Sequence, residues 1–158
     1  MDDPATDKNA TPPPWFEWAI SKMPKSRIVD VDGCPIHYLM WGSPDAGSDG
    51  LLFIHGGGAH AHWWSFIAPF FAENRPVAAI DLSGMGDSGH RTGDYGSPVH
   101  IPEIAAVIDD APLGAHPVVV GHSFGGYMAM SYAAKTGANL SGVVIVDAAI
   151  RPGTEDRD

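Results

Sequence analysis

The stretch from Pro117 to Gly126, PVVVGHSFGG, decides the fold predicted for this chain. Its valine run is typical of a strand buried on both faces of a parallel sheet. The run leads directly into the pattern Gly-x-Ser-x-Gly at Gly121, Ser123 and Gly125, which precedes a small-residue segment of helical character. A serine between a strand and a helix needs neighbours without a Cβ, because backbone and helix approach closely there. We therefore predict a sharp turn that presents the Ser123 hydroxyl at the carboxyl edge of the sheet.

Other apolar runs predict the strands that surround this turn. Continuous apolar runs typical of buried parallel strands occur at Leu51–Ile54, Val77–Ile80 and Val143–Val146. Crossover helices are expected at 62–72, kinked at Pro69, at 101–111 and at 124–135. Before these, residues 26–31 and 35–41 flank Asp32-Gly33, a type I′ hairpin signal. The predicted fold class is α/β, with a mostly parallel sheet and an antiparallel N-terminal hairpin.

The composition of the chain argues against several classes of protein. The 158 residues carry 9 basic and 19 acidic side chains, a formal net charge of −10 that opposes binding to a phosphate backbone. The single cysteine, Cys34, permits no intrachain disulfide and no thiolate-rich zinc site. The sequence has no apolar run of the ~20 residues that a membrane span needs, and its acidic, proline-rich start does not resemble a secretory signal. We expect a cytoplasmic protein with a small-molecule substrate, no cofactor, and no nucleic-acid or membrane partner.

Two further turns follow predicted strands. After the first parallel strand, residues 53–60 read FIHGGGAH, whose glycines let backbone N–H groups face a ligand. A zinc site formed by His55, His60 and His62 is an alternative, but a role for His55 in shaping the loop is favoured. After the second parallel strand, the segment DLSGMGDSG begins at Asp81, for which a structural role is favoured over catalysis. His122 directly precedes Ser123, and a packing role is expected for it.

In this order and spacing, the three turns resemble the α/β-hydrolase family, and the resemblance covers about Ile28 to Ile150. It implies that Ser123 is the nucleophile, with the backbone N–H groups of Gly57 and Phe124 as the oxyanion hole. The His-Gly-Gly-Gly loop is similar to that of the branch of the family that includes esterases and carbon–carbon bond hydrolases. Epoxide hydrolases and haloalkane dehalogenases of this fold carry aspartate at the elbow and are disfavoured by Ser123.

The catalytic base is the point where the chain departs from the family pattern. The family order is serine, then acid, then histidine, yet all eight histidines precede Ser123. Asp147, at the end of the last predicted strand, is the one candidate acid, although an aspartate at this position is more often structural. We expect the histidine and the lid in a C-terminal fragment or a second chain. An inactive truncated product and a chain that pairs with another in a binding role are the alternatives.

The predicted organisation is an N-terminal tail with a short docking helix over 1–25, the first part of a hydrolase core over 26–150, and the start of a lid or linker over 151–158. The predicted function is acyl transfer on a small, largely apolar ester or related carbonyl compound, through a tetrahedral intermediate and an acyl-enzyme. The competing interpretation is a non-catalytic binding protein with the same fold.

Overall fold

The computed structural model describes residues 11–43 and 48–148. Helices and strands within these ranges are α1 (Pro14–Ile20), β1 (Lys25–Val31), β2 (Cys34–Trp41), β3 (Leu51–Ile54), a 3₁₀ turn (Ala61–Trp64), α2 (Ala68–Ala72), β4 (Val77–Ile80), α3 (Ser97–Asp110), β5 (Val118–His122), α4 (Phe124–Thr136), a second 3₁₀ turn (Gly137–Asn139) and β6 (Gly142–Val146). None of the helices in these two ranges is long and apolar enough to cross a bilayer.

The strands form one six-stranded sheet in the order β1-β2-β4-β3-β5-β6. Strands β4, β3, β5 and β6 run parallel, whereas β1 pairs with β2, and β2 with β4, in antiparallel register. The hairpin turn has φ 51° at Asp32 and φ 77° at Gly33, as a type I′ turn requires. The predicted α/β fold class, with its mostly parallel sheet and antiparallel N-terminal hairpin, is confirmed.

Both faces of the central strands are buried, which explains why they are continuously apolar. In β3, Leu52 and Ile54 pack in one core cluster with side chains of α3 and α4. Leu51 and Phe53 face the opposite way and pack in a second cluster with Trp64 and α2. Because side chains alternate between the faces of a strand, a polar residue at any of these positions would lie in a core.

The prediction of one continuous helix over 62–72 is wrong. The chain there forms the 3₁₀ turn Ala61–Trp64 and then the separate short helix α2. Pro69 lies in the first turn of α2, where a missing N–H costs no hydrogen bond, so it begins a helix instead of kinking one. Helix α3 also starts earlier than expected, at Ser97, for the same reason: Pro98 lies in its first turn.

Helix α1 packs on α2, with the rings of Trp18 and Phe70 4.7 Å apart. Residues 1–10 of the proposed tail, and the proposed lid or linker at 151–158, lie outside the described residues. The proposed limits of the three segments therefore stay predictions.

Strand β6 forms one edge of the sheet within the described part of the chain. It pairs with β5 on one side, and its side chains Val144, Ile145 and Val146 are 37–47% exposed. Strands β3 and β4, by contrast, are fully buried.

Candidate active site

Ser123 lies in a tight turn between β5 and α4. Its backbone has φ 51° and ψ −116°, a conformation that L-residues rarely adopt. The turn is held because the Ser123 N–H donates to Val146 O at 2.9 Å, and the Ser123 carbonyl accepts from the Gly126 N–H at 2.9 Å. The residue is exposed at the carboxyl edge of the sheet. Strained backbone that the surroundings hold in place is typical of functional turns.

The glycines of the motif are required by close contacts between backbones. A Cβ at Gly121 would lie 2.2 Å from the Gly125 carbonyl oxygen, inside any allowed contact. A Cβ at Gly125 would lie 2.4 Å from the carbonyl oxygen of His55 and 2.5 Å from that of Ile54. The spacing Gly-x-Ser-x-Gly therefore lets α4 start directly against β3 and β5, as the sequence predicts.

The loop after β3 lies against this turn. A Cβ built on Gly56 would be 3.5 Å from Ser123 Cβ, and one built on Gly57 would be 3.6 Å from Phe124 Cβ. Within the described ranges, neither the Gly57 nor the Phe124 N–H donates to a protein acceptor. The two N–H groups that the resemblance implies for an oxyanion hole thus belong to adjacent residues with free donors, beside Ser123.

His55 ties this loop to its neighbour. The Leu82 N–H donates to His55 Nε2 at 3.2 Å, so Nδ1 carries the proton and donates to Gly56 O at 2.7 Å. Burial lowers the pKa of the His55 imidazole, which favours this neutral form. Both ring nitrogens are engaged by backbone groups, so the loop-shaping role is confirmed and no ring atom is left for the zinc site weighed from sequence.

Asp81 is buried at the end of β4 and its carboxylate is surrounded by donors. It accepts from His37 Nδ1 at 2.7 Å, from the Ala61 N–H at 2.5 Å and from the Asp87 N–H at 3.0 Å. His37 Nε2 lies 2.8 Å from Ser26 Oγ. His37, Asp81 and Asp87 together offer ligand atoms within 4.8 Å of one another, but the Asp81 oxygens and both His37 nitrogens already have protein partners. These contacts are those of a structural carboxylate.

Neither the candidate acid Asp147 nor His122, for which a packing role is expected, is hydrogen-bonded to the Ser123 hydroxyl in the described part of the chain. Asp147 is exposed after β6 with φ 49°, and within the described ranges it forms no hydrogen bond. The His122 ring stacks on Trp63, with centroids 5.8 Å apart. No histidine in the described part of the chain is hydrogen-bonded to Ser123 Oγ.

A buried polar cluster beside the turn was missed by sequence reasoning. Glu103 accepts from the Ser83 N–H at 3.1 Å, from His100 Nδ1 at 3.0 Å and from Arg91 Nε at 2.9 Å. Burial alone raises the pKa of the Glu103 carboxyl, but the hydrogen bonds from His100, Ser83 and Arg91 outweigh burial and lower its pKa. The sequence signal for this cluster was the pair His100 and Glu103, two polar residues three positions apart beside the apolar face of α3.

The cluster borders a cleft of about 250 Å³. Its lining includes two glycines of the loop after β3 and three aromatic rings, in the set Gly57, Gly58, Ser83, Gly84, Met85, Tyr95, His100 and Phe124. A small, mainly apolar cleft that touches free N–H donors is the usual form of a binding site.

Comparison with known proteins identifies the family. A profile of the alpha/beta hydrolase family matches residues 51–158. The chain therefore belongs to the α/β-hydrolase family.

Individual relatives agree with this assignment. The chain is 33% identical over 125 residues to esterase Rv0045c of Mycobacterium tuberculosis, an alignment that covers 78% of this chain and 40% of the relative. It is 36% identical over 103 residues to lipase LipV of the same organism, covering 63% and 37% respectively. The thioesterase domain of the curacin biosynthetic pathway superposes with a TM-score of 0.74 at 27% identity, covering 84% of this chain and 49% of that one. The chain spans about two fifths of the length of the curated relatives it matches.

Proposed function

We propose that this chain supplies the nucleophile and the oxyanion hole of a serine hydrolase that acts by acyl transfer. The supporting observation is the exposed Ser123 hydroxyl, in a strained turn beside the free N–H groups of Gly57 and Phe124. The matched relatives named esterase and lipase favour an ester substrate, and the small apolar cleft favours a small acyl or alcohol group.

In the proposed reaction, Ser123 Oγ attacks the carbonyl carbon while a base takes the hydroxyl proton. The carbonyl oxygen becomes an oxyanion, which the Gly57 and Phe124 N–H groups stabilise together with the positive end of the α4 dipole. Collapse of the tetrahedral intermediate expels the alcohol, protonated by the same base, and leaves an acyl-enzyme that water hydrolyses. No cofactor takes part.

The base of this proposal comes from outside the described residues. An unactivated serine is a poor nucleophile, and none of the described histidines reaches Ser123 Oγ. We propose that a further segment, in a C-terminal fragment or a second chain, pairs with β6 and brings the histidine and lid. The exposed Val144, Ile145 and Val146 support this, because such an apolar edge is an aggregation hazard unless covered. Asp147, at the same edge, stays the candidate acid.

A fluorophosphonate probe tests the proposal, since it labels only an activated serine. We expect labelling of the peptide that contains Ser123 in the assembly purified with its partner segment. Ser123→Ala should abolish labelling, and the exposed Ser141→Ala should retain it as a matched control. Hydrolysis that persists in Ser123→Ala would refute the nucleophile assignment.

Intact mass under denaturing conditions identifies the partner segment. A second polypeptide that travels with this chain, and without which labelling is lost, is the expected result. A non-catalytic binding protein is the competing function, favoured by the missing histidine contact. Absence of labelling in every preparation, with ligand binding retained, would establish that alternative.

A further inference from the structure

Two side chains that line the cleft beside the loop after β3 have a buried polar atom with no partner among the described residues, Ser83 Oγ and His100 Nε2. His100 is fully buried, and its Nε2 atom has no partner among the described residues. A buried polar atom without a partner is unfavourable, so such an atom at the wall of a cleft points to a ligand that would pair with it. His100 is also one of the residues that line this cleft.

The remaining contacts of His100 fix its ring. Nδ1 donates to Glu103 Oε2 at 3.0 Å, and Glu103 is in turn paired with Arg91 at 2.9 Å. Tyr95 stacks on the ring at 5.7 Å and an angle of 15°, and Phe124 meets it edge to face at 5.7 Å. In a neutral ring whose Nδ1 is protonated, Nε2 is an acceptor. The ring is therefore oriented in advance to accept one hydrogen bond.

Apart from His100, Ser83 and the Tyr95 hydroxyl, which is bonded to Arg91, the side chains that line the cleft are apolar, so an acceptor fixed in orientation there has a selective effect. We propose that His100 Nε2 is a specificity-determining acceptor for a small carbonyl substrate that carries a hydroxyl group near the carbonyl. The proposal rests on the function proposed above, in that the carbonyl itself is held by Gly57 and Phe124. A site built to bond a hydroxyl discriminates against the analogue that lacks one, because its own polar atom then stays unpaired.

Tyr95 is the side chain that must shift to admit the ligand. Its ring covers His100, yet it lies on a loop and is 43% exposed. Among the described residues, its hydroxyl is bonded only to backbone groups of Arg91, at 2.9 and 3.3 Å. A ring at the surface can rotate on the timescale of side-chain motion, which opens the wall of the cleft at His100.

Binding without turnover tests the proposal. The probes are three amides with one carbon skeleton: N-propylbutyramide, N-propyl-3-hydroxybutyramide and N-(3-hydroxypropyl)butyramide. The second carries its hydroxyl on the acyl side of the amide, and the third carries it on the N-propyl side. Ligand-observed NMR titration of the full chain, with any partner polypeptide that co-purifies, should show one hydroxylated amide binding about fivefold tighter than the plain amide, the effect of one neutral hydrogen bond.

The matched variant is His100→Asn, whose amide can still donate to Glu103 from the position of Nδ1 but has no atom at Nε2. We expect it to bind all three amides equally. Equal binding by the natural chain, no binding of any amide, or a preference that survives in His100→Asn would overturn the proposal. If that variant does not fold, the ¹⁵N resonance of His100 Nε2 in the natural chain decides: it shifts with the preferred amide, and an unchanged resonance refutes the contact.

The experiment separates this proposal from the proposed reaction. Ser123→Ala removes the nucleophile but no atom of His100, so it should retain the preference among the amides. A preserved preference without fluorophosphonate labelling would refute the reaction and keep the subsite. Labelling without a preference among the amides would support the reaction and refute the subsite.

Discussion

Two turns at the carboxyl edge of the sheet show how one position in a fold serves opposite purposes. The Asp81 turn, residues 81–89, follows β4, and the elbow, residues 121–126, follows β5; both strands flank β3. Asp81 is buried and accepts from three donors, whereas Ser123 is exposed and its hydroxyl has no partner among residues 11–43 and 48–148. A polar group whose bonds are complete stabilises the fold, and one whose bonds are left open is available to a substrate.

Each turn also contains a serine, Ser88 or Ser123, so the comparison can be repeated with the same type of side chain. Ser88 Oγ accepts from the His37 N–H at 2.7 Å and donates to Asp81 O at 2.6 Å, which joins the Asp81 turn to β2. Ser123 has a similar hydroxyl and no such partner in the described part of the chain. Residue type therefore says less about role than burial and partners do, and measurements of stability can separate the two turns.

The largest effect on stability is expected from Asp81→Ala. It removes the acceptor of His37 Nδ1, of the buried Ala61 N–H and of the partly buried Asp87 N–H, and each buried donor left without a partner costs about 1–3 kcal/mol. Urea denaturation should show this loss in the free energy of unfolding. Asp81→Asn, which keeps one acceptor oxygen, should lose less. A change below about 1 kcal/mol in the free energy of unfolding of Asp81→Ala would contradict the structural role of Asp81.

A smaller loss is expected from Gly125→Ala, which tests the elbow through its backbone. The new Cβ would lie 2.4 Å from the His55 carbonyl oxygen, and overpacking of this kind costs about 1–3 kcal/mol. Gly142→Ala is the matched control, because a Cβ there meets nothing within 4 Å. We expect it to be neutral or slightly stabilising in the same urea titration. Equal effects at the two glycines would contradict the close contact.

Acid should weaken the link between the loops through His55. Burial holds the pKa of folded His55 below its ordinary value near 6.5, so the folded state binds this proton less readily than the unfolded state. The contribution to stability is complete above about pH 6.5 and declines as the pH falls below that value. Urea midpoints at pH 7.5 and 5.5 measure it, and His55→Asn should show a smaller difference between the two. An unchanged difference would exclude His55 as its source.

The smallest effect on stability is expected from Ser123→Ala. An exposed hydroxyl without a partner contributes little, so the free energy of unfolding should change by no more than about 0.5 kcal/mol. Ser88→Ala removes two buried hydrogen bonds and should cost about 1–3 kcal/mol in parallel titrations. The two serines would then differ in stability as they differ in burial. A loss in Ser123→Ala as large as that in Ser88→Ala would contradict the exposed hydroxyl.

Much of the fold was predictable because its signals are local. The Asp32-Gly33 hairpin and the parallel strands follow from turn chemistry and continuous apolar runs. The interruption at 65–67 was not predictable in this way, because a proline can kink a helix or begin one, and the packing of the neighbouring aromatics decides which. The His100–Glu103 pair was missed for a related reason, since its spacing also suits an exposed helix face.

By itself, the sequence determined the backbone of the elbow and the strands around it, because glycine spacing and apolar runs act over a few residues. Tertiary structure alone decided the roles of similar side chains. Asp81 and Asp147 both follow a parallel strand, yet one is buried among three donors and the other is exposed. Burial and hydrogen-bond partners come from segments distant in the chain, such as His37 for Asp81, and short-range pattern carries no information about them.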